Sequence, residues 1–141
     1  MKEGWGVLRL LEQERARYAW KCIREVKGDA DLEGRYKSCV RRAASYIQVN
    51  GLGNTMAFYR SKFEPDLKRG EGRMSTEGKA YKLVYEHLNG WFRKRFKEGR
   101  DILEWMTGED TSSTMVFHAA REIIALLGWM KRFAEAELGD G

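Results

Sequence analysis

A single proline, at position 65, occurs in 141 residues, and this scarcity constrains the fold more than any other feature of the sequence. Proline interrupts helices but is common in turns, so a chain with one proline favours long helices. Apolar residues also recur at steps of three and four, the spacing of a helix with one buried face. The sequence therefore predicts an all-α, single-domain irregular helical bundle of five to six helices over residues 1–141.

Turn residues and helix caps set the expected boundaries of these helices. The last helix can begin at Thr111 to Ser113, where several hydroxyl side chains are available as caps. Asn54 or Thr55 can cap a short third helix. Residues 63–75 hold the proline and two glycines and are predicted to form a mobile loop. The predicted helices span about residues 7–27, 33–49, 54–62, 76–97, 101–106 and 111–138.

The last predicted helix has the broadest apolar face. A stripe this wide predicts a central helix that is contacted from two sides. Its inward positions are Val116, Ala119, Ala120, Ile123, Leu126, Leu127, Met130 and Ala134. On the first helix the corresponding stripe is Leu8, Leu11, Tyr18, Cys22 and Val26.

The sequence predicts a cytoplasmic protein without a membrane segment. The longest apolar runs are four or five residues, such as 123–127, whereas a spanning helix needs about 20. Residues 1–5 lack the apolar core of a secretory signal. Cys22 and Cys39 lie within helical patterns and not in a C-x-x-C pair, so we expect two free core thiols, with a structural disulfide as the alternative.

Motifs that resemble catalytic or ligand-binding sites are incomplete. Residues 72–80 resemble a phosphate-binding loop, but one intervening residue is extra and Ala80 replaces the magnesium-binding Ser or Thr. His118 and Glu122 share a helix face, yet no nucleophile or metal-ligand set accompanies them. We therefore expect a protein that is not an enzyme and that uses no cofactor and no metal.

Positive charge is concentrated in the first half of the chain. The net charge is +5; residues 1–62 carry 13 Lys or Arg against 7 Asp or Glu, and residues 63–141 carry 13 against 14. This asymmetry favours a polyanionic partner.

The cations follow helical spacing. A row of arginines with an embedded tryptophan can contact phosphates and stack a base, although Glu12, Glu14 and Glu25 also fit an ordinary solvated face. On the second helix, Arg41 and Arg42 lie one turn after Lys37. The residues that share one face of the first helix are Arg9, Gln13, Arg17, Trp20, Arg24 and Lys27.

Aromatic and basic residues are also mixed at two helix ends. Residues 91–97 read WFRKRFK, a cluster that could contact nucleic acid; the alternative is that these cations simply end a helix, where cations are expected. Trp129 and Phe133 share a face opposite Ile123 and Leu127. An exposed aromatic pair predicts a protein contact, and partial burial at the end of the bundle is the alternative.

Three blocks of sequence resemble one family. They are residues 11–19 (LEQERARYA), 50–58 (NGLGNTMAF) and 124–134 (IALLGWMKRFA). In this order they resemble the small α-helical subunit of the Cmr-type (type III-B) CRISPR RNA-guided effector complex. Residues 63–75 and 93–115 have no counterpart in this resemblance.

The resemblance implies a non-catalytic structural subunit of an RNA-targeting complex in antiviral defence. Its expected partners are backbone subunits, copies of itself in a head-to-tail filament, and guide RNA and target RNA, with no membrane. A stand-alone helical nucleic-acid-binding protein is the alternative, although no helix-turn-helix pair with a polar recognition helix is apparent. The cations within or beside the matching blocks are the expected nucleic-acid contacts: Arg15, Arg17, Arg24, Arg41, Arg42, Lys131 and Arg132.

Overall fold

A computed structural model describes the backbone of residues 2–140 and the side chains of residues 9–70 and 72–140. Among these residues there is no strand, and the predicted all-α fold is confirmed. The predicted five to six helices correspond to all the observed ones except a short α4. The α-helices are α1 (Lys2–Val26), α2 (Ala30–Asn50), α3 (Leu52–Ser61), α4 (Glu64–Arg69), α5 (Thr76–Phe96), α6 (Ile102–Met106) and α7 (Ser113–Glu137).

Side-chain caps fix most of the helix starts. Each capping side chain accepts a hydrogen bond from a backbone N–H in the first turn, which satisfies a donor that the helix itself leaves unpaired. The capping residues are Asp29 for α2, Ser75 for α5, Asp101 for α6 and Ser112 for α7. Because caps of this kind are visible in the sequence, the observed starts of α5, α6 and α7 agree with the predicted ones within two residues.

Helix α3 begins earlier than the sequence predicts. Its N-cap is Gly51, not Asn54 or Thr55, and its first helical residue is Leu52. Gly51 has φ of +86°, and its N–H also bonds the Ile47 carbonyl at 2.8 Å, which closes α2. A left-handed residue of this kind favours glycine, so one residue ends one helix and starts the next.

Residues 63–75 contain a helix that the sequence analysis does not predict. Glu64–Arg69 form α4, and a 3-10 turn follows at Glu71–Arg73. Pro65 lies in the first turn of α4, where a missing backbone N–H removes no intrahelical bond. The buried side chain of Phe63 and the partly buried Leu67 attach this segment to the core. The mobility of the segment stays a prediction.

Helix α7 is contacted from two sides, as its broad apolar face predicts. It packs against α1 and α2 and also touches α5, while α2 packs against α5. Ion pairs Arg15–Glu122 and Lys27–Glu137 show that α1 runs parallel to α7.

The side chains predicted to line the core along α7 are buried, except that Val116 and Ala120 are only partly buried. Cys22 and Cys39 are buried free thiols, as expected. Phe58 on α3 stays 42% exposed, whereas its neighbour Tyr59 is completely buried. The side chain of Leu8 lies outside the described part of the chain. The predicted core residues of α7 with almost no exposure include Ile123, Leu126, Leu127 and Met130.

No helix within residues 2–140 combines the length and the apolar character needed to cross a bilayer.

Candidate nucleic-acid and subunit interface

A buried carboxylate on α7 joins three helices, and we call its group of contacts the inner seam. Glu122, with 8% of its side chain exposed, accepts hydrogen bonds from Arg15 of α1 at 2.7 Å (Nε) and 2.9 Å (Nη2). Two donors on α5 complete the seam: Trp91 Nε1 at 3.2 Å and Arg95 Nε at 3.3 Å. Burial alone would raise the pKa of Glu122, but the hydrogen bond and charge of Arg15 lower it below its usual value. The seam therefore holds an ionised acid at neutral pH.

Arg15, a predicted nucleic-acid contact, belongs to this seam. Its side chain is 14% exposed, and its remaining nitrogen, Nη1, donates to Glu12 at 2.9 Å. The hydrogen bond to Glu122 is the main cause of its raised pKa. Each nitrogen of the guanidinium thus donates one hydrogen bond inside the protein, and a contact between Arg15 and nucleic acid stays a prediction.

The outer face of α1 carries a second group, which we call the outer ridge: Arg17, Trp20, Lys21 and Arg24. All four side chains are exposed, and Trp20 is 39% exposed. The Arg24 guanidinium lies 5.7 Å from the centroid of the Trp20 ring, a cation–π arrangement. Within the side chains that the structure describes, Arg17, Lys21 and Arg24 take part in no ion pair. The ridge therefore presents three cations and one ring to solvent.

Trp129 and Phe133, the predicted protein contacts, lie against this ridge. The Phe133 ring meets Trp20 edge-on at 5.3 Å between centroids, and Trp129 follows at 5.7 Å from Phe133. The Trp129 indole N–H donates to Glu12 at 2.7 Å. Both α7 rings are partly buried. The three rings form one row across α1 and α7, so the predicted protein contacts and the α1 cations share a single surface.

The other predicted cations lie on α7 and α2. Lys131 and Arg132 are exposed on α7. Arg41 faces acids at the end of the chain, 3.5 Å from Glu135 and 3.9 Å from Asp140. The exposed Arg42 donates from Nε to the Ser38 carbonyl at 3.2 Å. No hydrogen bond or ion pair among the described residues links Arg41 or Arg42 to the outer ridge.

Two of the five cations between Arg93 and Arg100 pair with carboxylates of the protein. Arg95 belongs to the inner seam, and Arg100 pairs with Glu98 at 2.9 Å and Asp110 at 3.3 Å. Lys97, with φ of +52°, forms the left-handed cap of α5. This segment therefore connects α5 to the turn before α7.

A buried histidine escaped the sequence analysis. His87 Nδ1 lies 2.7 Å from the Tyr36 hydroxyl, and Nε2 lies 2.9 Å from a carboxylate oxygen of Glu25. Burial lowers the pKa of His87, partly offset by Glu25. Tyr36 is completely buried and Glu25 is exposed, so this group joins α1, α2 and α5 from the core to the surface. In contrast, His118 is exposed and Glu122 bonds Arg15 instead of it.

No group of three or more His, Cys, Asp or Glu side chains within the described ranges can hold a metal ion. The fold and its surface define a small all-α protein whose long helices present cations and aromatic rings alongside exposed acids.

A family model described as a CRISPR-associated protein (Cas_Cmr5) matches residues 11–137 of this chain. The match includes residues 63–75 and 93–115, which lie outside the three sequence blocks that carry the resemblance. The chain belongs to the Cas_Cmr5 family, and the resemblance to the Cmr-type (type III-B) small subunit is confirmed. It is thus a subunit of a CRISPR-associated effector complex.

Proposed function

We propose that this chain is a non-catalytic structural subunit that stacks with copies of itself and holds target RNA by its phosphates. In this proposal it acts in the cytoplasm, in antiviral defence, beside backbone subunits that hold the guide RNA. Family membership supports the setting, and the outer ridge is the observation that carries the RNA-holding role.

The cations of the outer ridge are suited to phosphate. Arginine presents a planar fork of donors that matches phosphate oxygens, and Arg17 and Arg24 lie two helical turns apart on one face. At 1.5 Å per residue this separates them by about 10 Å, so each can contact a different phosphate of one strand. Trp20, between them, offers a ring face to a base. Lys131 and Arg132 extend positive charge onto α7.

The aromatic row supports a role in subunit packing. Trp129 and Phe133 are held in place by Glu12 and Trp20, so little side-chain entropy is left to lose when a neighbour binds. Aromatic side chains of this kind often supply much of an interface's binding energy. We leave Arg15 out of the proposed RNA surface because its side chain is largely buried and each guanidinium nitrogen already donates to Glu122 or Glu12.

The experiment reconstitutes the complex with variant subunits and measures incorporation separately from target-RNA retention. Arg17→Glu/Arg24→Glu should incorporate normally and retain less target RNA, because exposed charges contribute little to folding while each lost cation removes a phosphate contact. Lys68→Glu/Lys79→Glu, at exposed positions of α4 and α5, makes the same change in net charge and should retain target RNA like the parent.

In the same assay, Trp129→Ala and Phe133→Ala should reduce incorporation first. The proposal fails if the arginine variant and its charge-matched control retain target RNA equally. Arginine variants that do not incorporate, together with aromatic variants that assemble normally, would show that the two roles are assigned the wrong way round.

A further inference from the structure

Four aromatic rings cluster between α2, α3 and α5, apart from the α1–α7 surface. Tyr46 and Phe58 have centroids 6.3 Å apart, and Phe58 and Tyr81 are 5.9 Å apart. Tyr59, fully buried, lies 5.6 Å from Tyr81 and anchors the cluster in the core. Phe58 and Tyr46 are 42% and 38% exposed. The cluster therefore presents two partly exposed rings on a base that is packed in the core.

A cavity of about 270 Å³ opens beside the exposed rings. It is lined by Tyr46, Phe58, Thr55 and the amides Asn50 and Asn54. An amide side chain offers both donors and an acceptor, and no carboxylate is among the described residues that line this cavity. A nucleobase combines a flat apolar face with an edge of donors and acceptors, so rings and amides together match it.

Cations flank the same rings. Lys62 Nζ lies 5.1 Å from the centroid of Phe58. On the other side, Arg42 and Tyr81 line a neighbouring cavity of about 560 Å³. Asp31 and Glu77 also line this larger cavity, so its far end does not suit a polyanion. Positive charge beside the rings, without acids at the Phe58 end, favours a phosphate-bearing partner over an acidic or purely apolar one.

We infer that Tyr46 and Phe58 form a second contact site for single-stranded RNA. Unpaired bases stack on these two rings, and Lys62 and Arg42 contact the flanking phosphates. The inference rests on the proposed function for its ligand but concerns a separate surface, since α3 packs on α2, α5 and α6. Stacking does not depend on base identity, because every base has a π face. The site therefore accepts RNA of any sequence.

The test compares Phe58→Leu, which removes the ring, with Phe58→Tyr, which keeps it. Phe117→Leu is the matched control, because Phe117 is 58% exposed and has the Arg121 guanidinium 5.8 Å from its ring. The full chain is titrated with a single-stranded oligouridylate and with an abasic oligomer of the same length. Phe58→Leu should weaken oligouridylate binding about fivefold or more, whereas Phe58→Tyr and Phe117→Leu should bind like the parent. Binding of the abasic oligomer should be equal for all variants.

A second readout uses the reconstituted complex with 4-thiouridine in the target RNA. Crosslinks should map to the peptide that contains Tyr46 or Phe58, and Phe58→Leu should reduce their yield. Equal oligouridylate binding by Phe58→Leu and Phe117→Leu, with no crosslink to this peptide, would overturn the inference. So would a Phe58→Leu subunit that fails to incorporate but binds oligouridylate normally, since the rings would then contact protein. Retention by Arg17→Glu/Arg24→Glu is measured independently, so either surface can fail alone.

Discussion

Arg15 and Arg17 lie two positions apart on α1 and face opposite sides of the helix. The nitrogens of Arg15 bond Glu122 and Glu12 in the inner seam, whereas Arg17 is exposed on the outer ridge. A step of two residues turns a side chain by about 200° around an α-helix, which separates the two arginines completely. One short block of sequence thus contributes one cation to the fold and another to the surface.

This difference in position has energetic consequences. A carboxylate and a guanidinium that are both largely excluded from water depend on each other, and loss of one leaves an unpaired buried charge. Cations on an exposed helix face are screened by water and salt and contribute little to stability. The inner seam should therefore respond to substitution in unfolding experiments, and the outer ridge should respond in RNA-binding experiments.

The largest expected effect is that of Glu122→Ala. It removes the partner of Arg15 and leaves the Trp91 and Arg95 donors without their acceptor. We expect the free energy of unfolding to fall by about 3–5 kcal/mol, measured by urea denaturation. Arg17→Ala is the control and should change it by less than about 0.5 kcal/mol. Similar losses for the two variants would remove the distinction between seam and ridge.

A smaller effect is expected for Gly90→Ala on α5. A Cβ at this position would lie 2.6 Å from the Tyr18 hydroxyl, which donates to the His87 carbonyl at 2.6 Å. Helix propensity alone would give a gain of about 1 kcal/mol, but the clash should produce a net loss of about 1–3 kcal/mol. In a Tyr18→Phe background the loss should disappear. A double-mutant cycle by urea denaturation measures this coupling, and a coupling energy near zero would contradict the contact.

The comparison between buried and exposed side chains also applies to the pH dependence of stability, because His87 is buried and His118 is exposed. Burial is the main cause of the lowered pKa of His87, and the unfolded chain therefore takes up this proton at higher pH than the folded protein. Stability should decline as pH falls from about 6.5 through the folded pKa. The thermal midpoint of His87→Gln should vary less over this range than that of the parent. His118→Gln, at an exposed position of α7, is the control. Parallel curves for parent and His87→Gln would contradict the prediction.

The local parts of the fold are predictable from the sequence. Ser112 and Asp101 mark helix starts by their capping side chains, and the apolar period of α7 identifies its buried face. Periodicity likewise places Arg17 and Arg24 on one exposed face. Helix α4 was missed because Pro65 signals a loop or a first helical turn equally well, and only burial of its neighbours decides between them.

The long-range parts are not predictable from local patterns. Glu122 lies at the edge of an apolar stripe, which is an unusual position for an acid. The position indicates that the acid has a buried partner, but it does not identify that partner. Its partner Arg15 is 107 positions away in the chain, and only the parallel packing of α1 on α7 brings them together. The same packing places Phe133 against Trp20, which joins two surfaces that sequence reasoning treats separately.

Substitutions in the outer ridge should have the smallest effect on the stability of the protein, but they should measurably change the salt dependence of RNA binding. The most direct test measures target-RNA affinity of the reconstituted complex over a series of salt concentrations, for the parent and for Arg17→Ala/Arg24→Ala. Each phosphate contact to single-stranded RNA contributes about 0.7 to the slope of log K against log salt concentration, so the double variant should reduce the slope by about 1.4. An unchanged slope with normal incorporation would show that these arginines do not contact the RNA backbone.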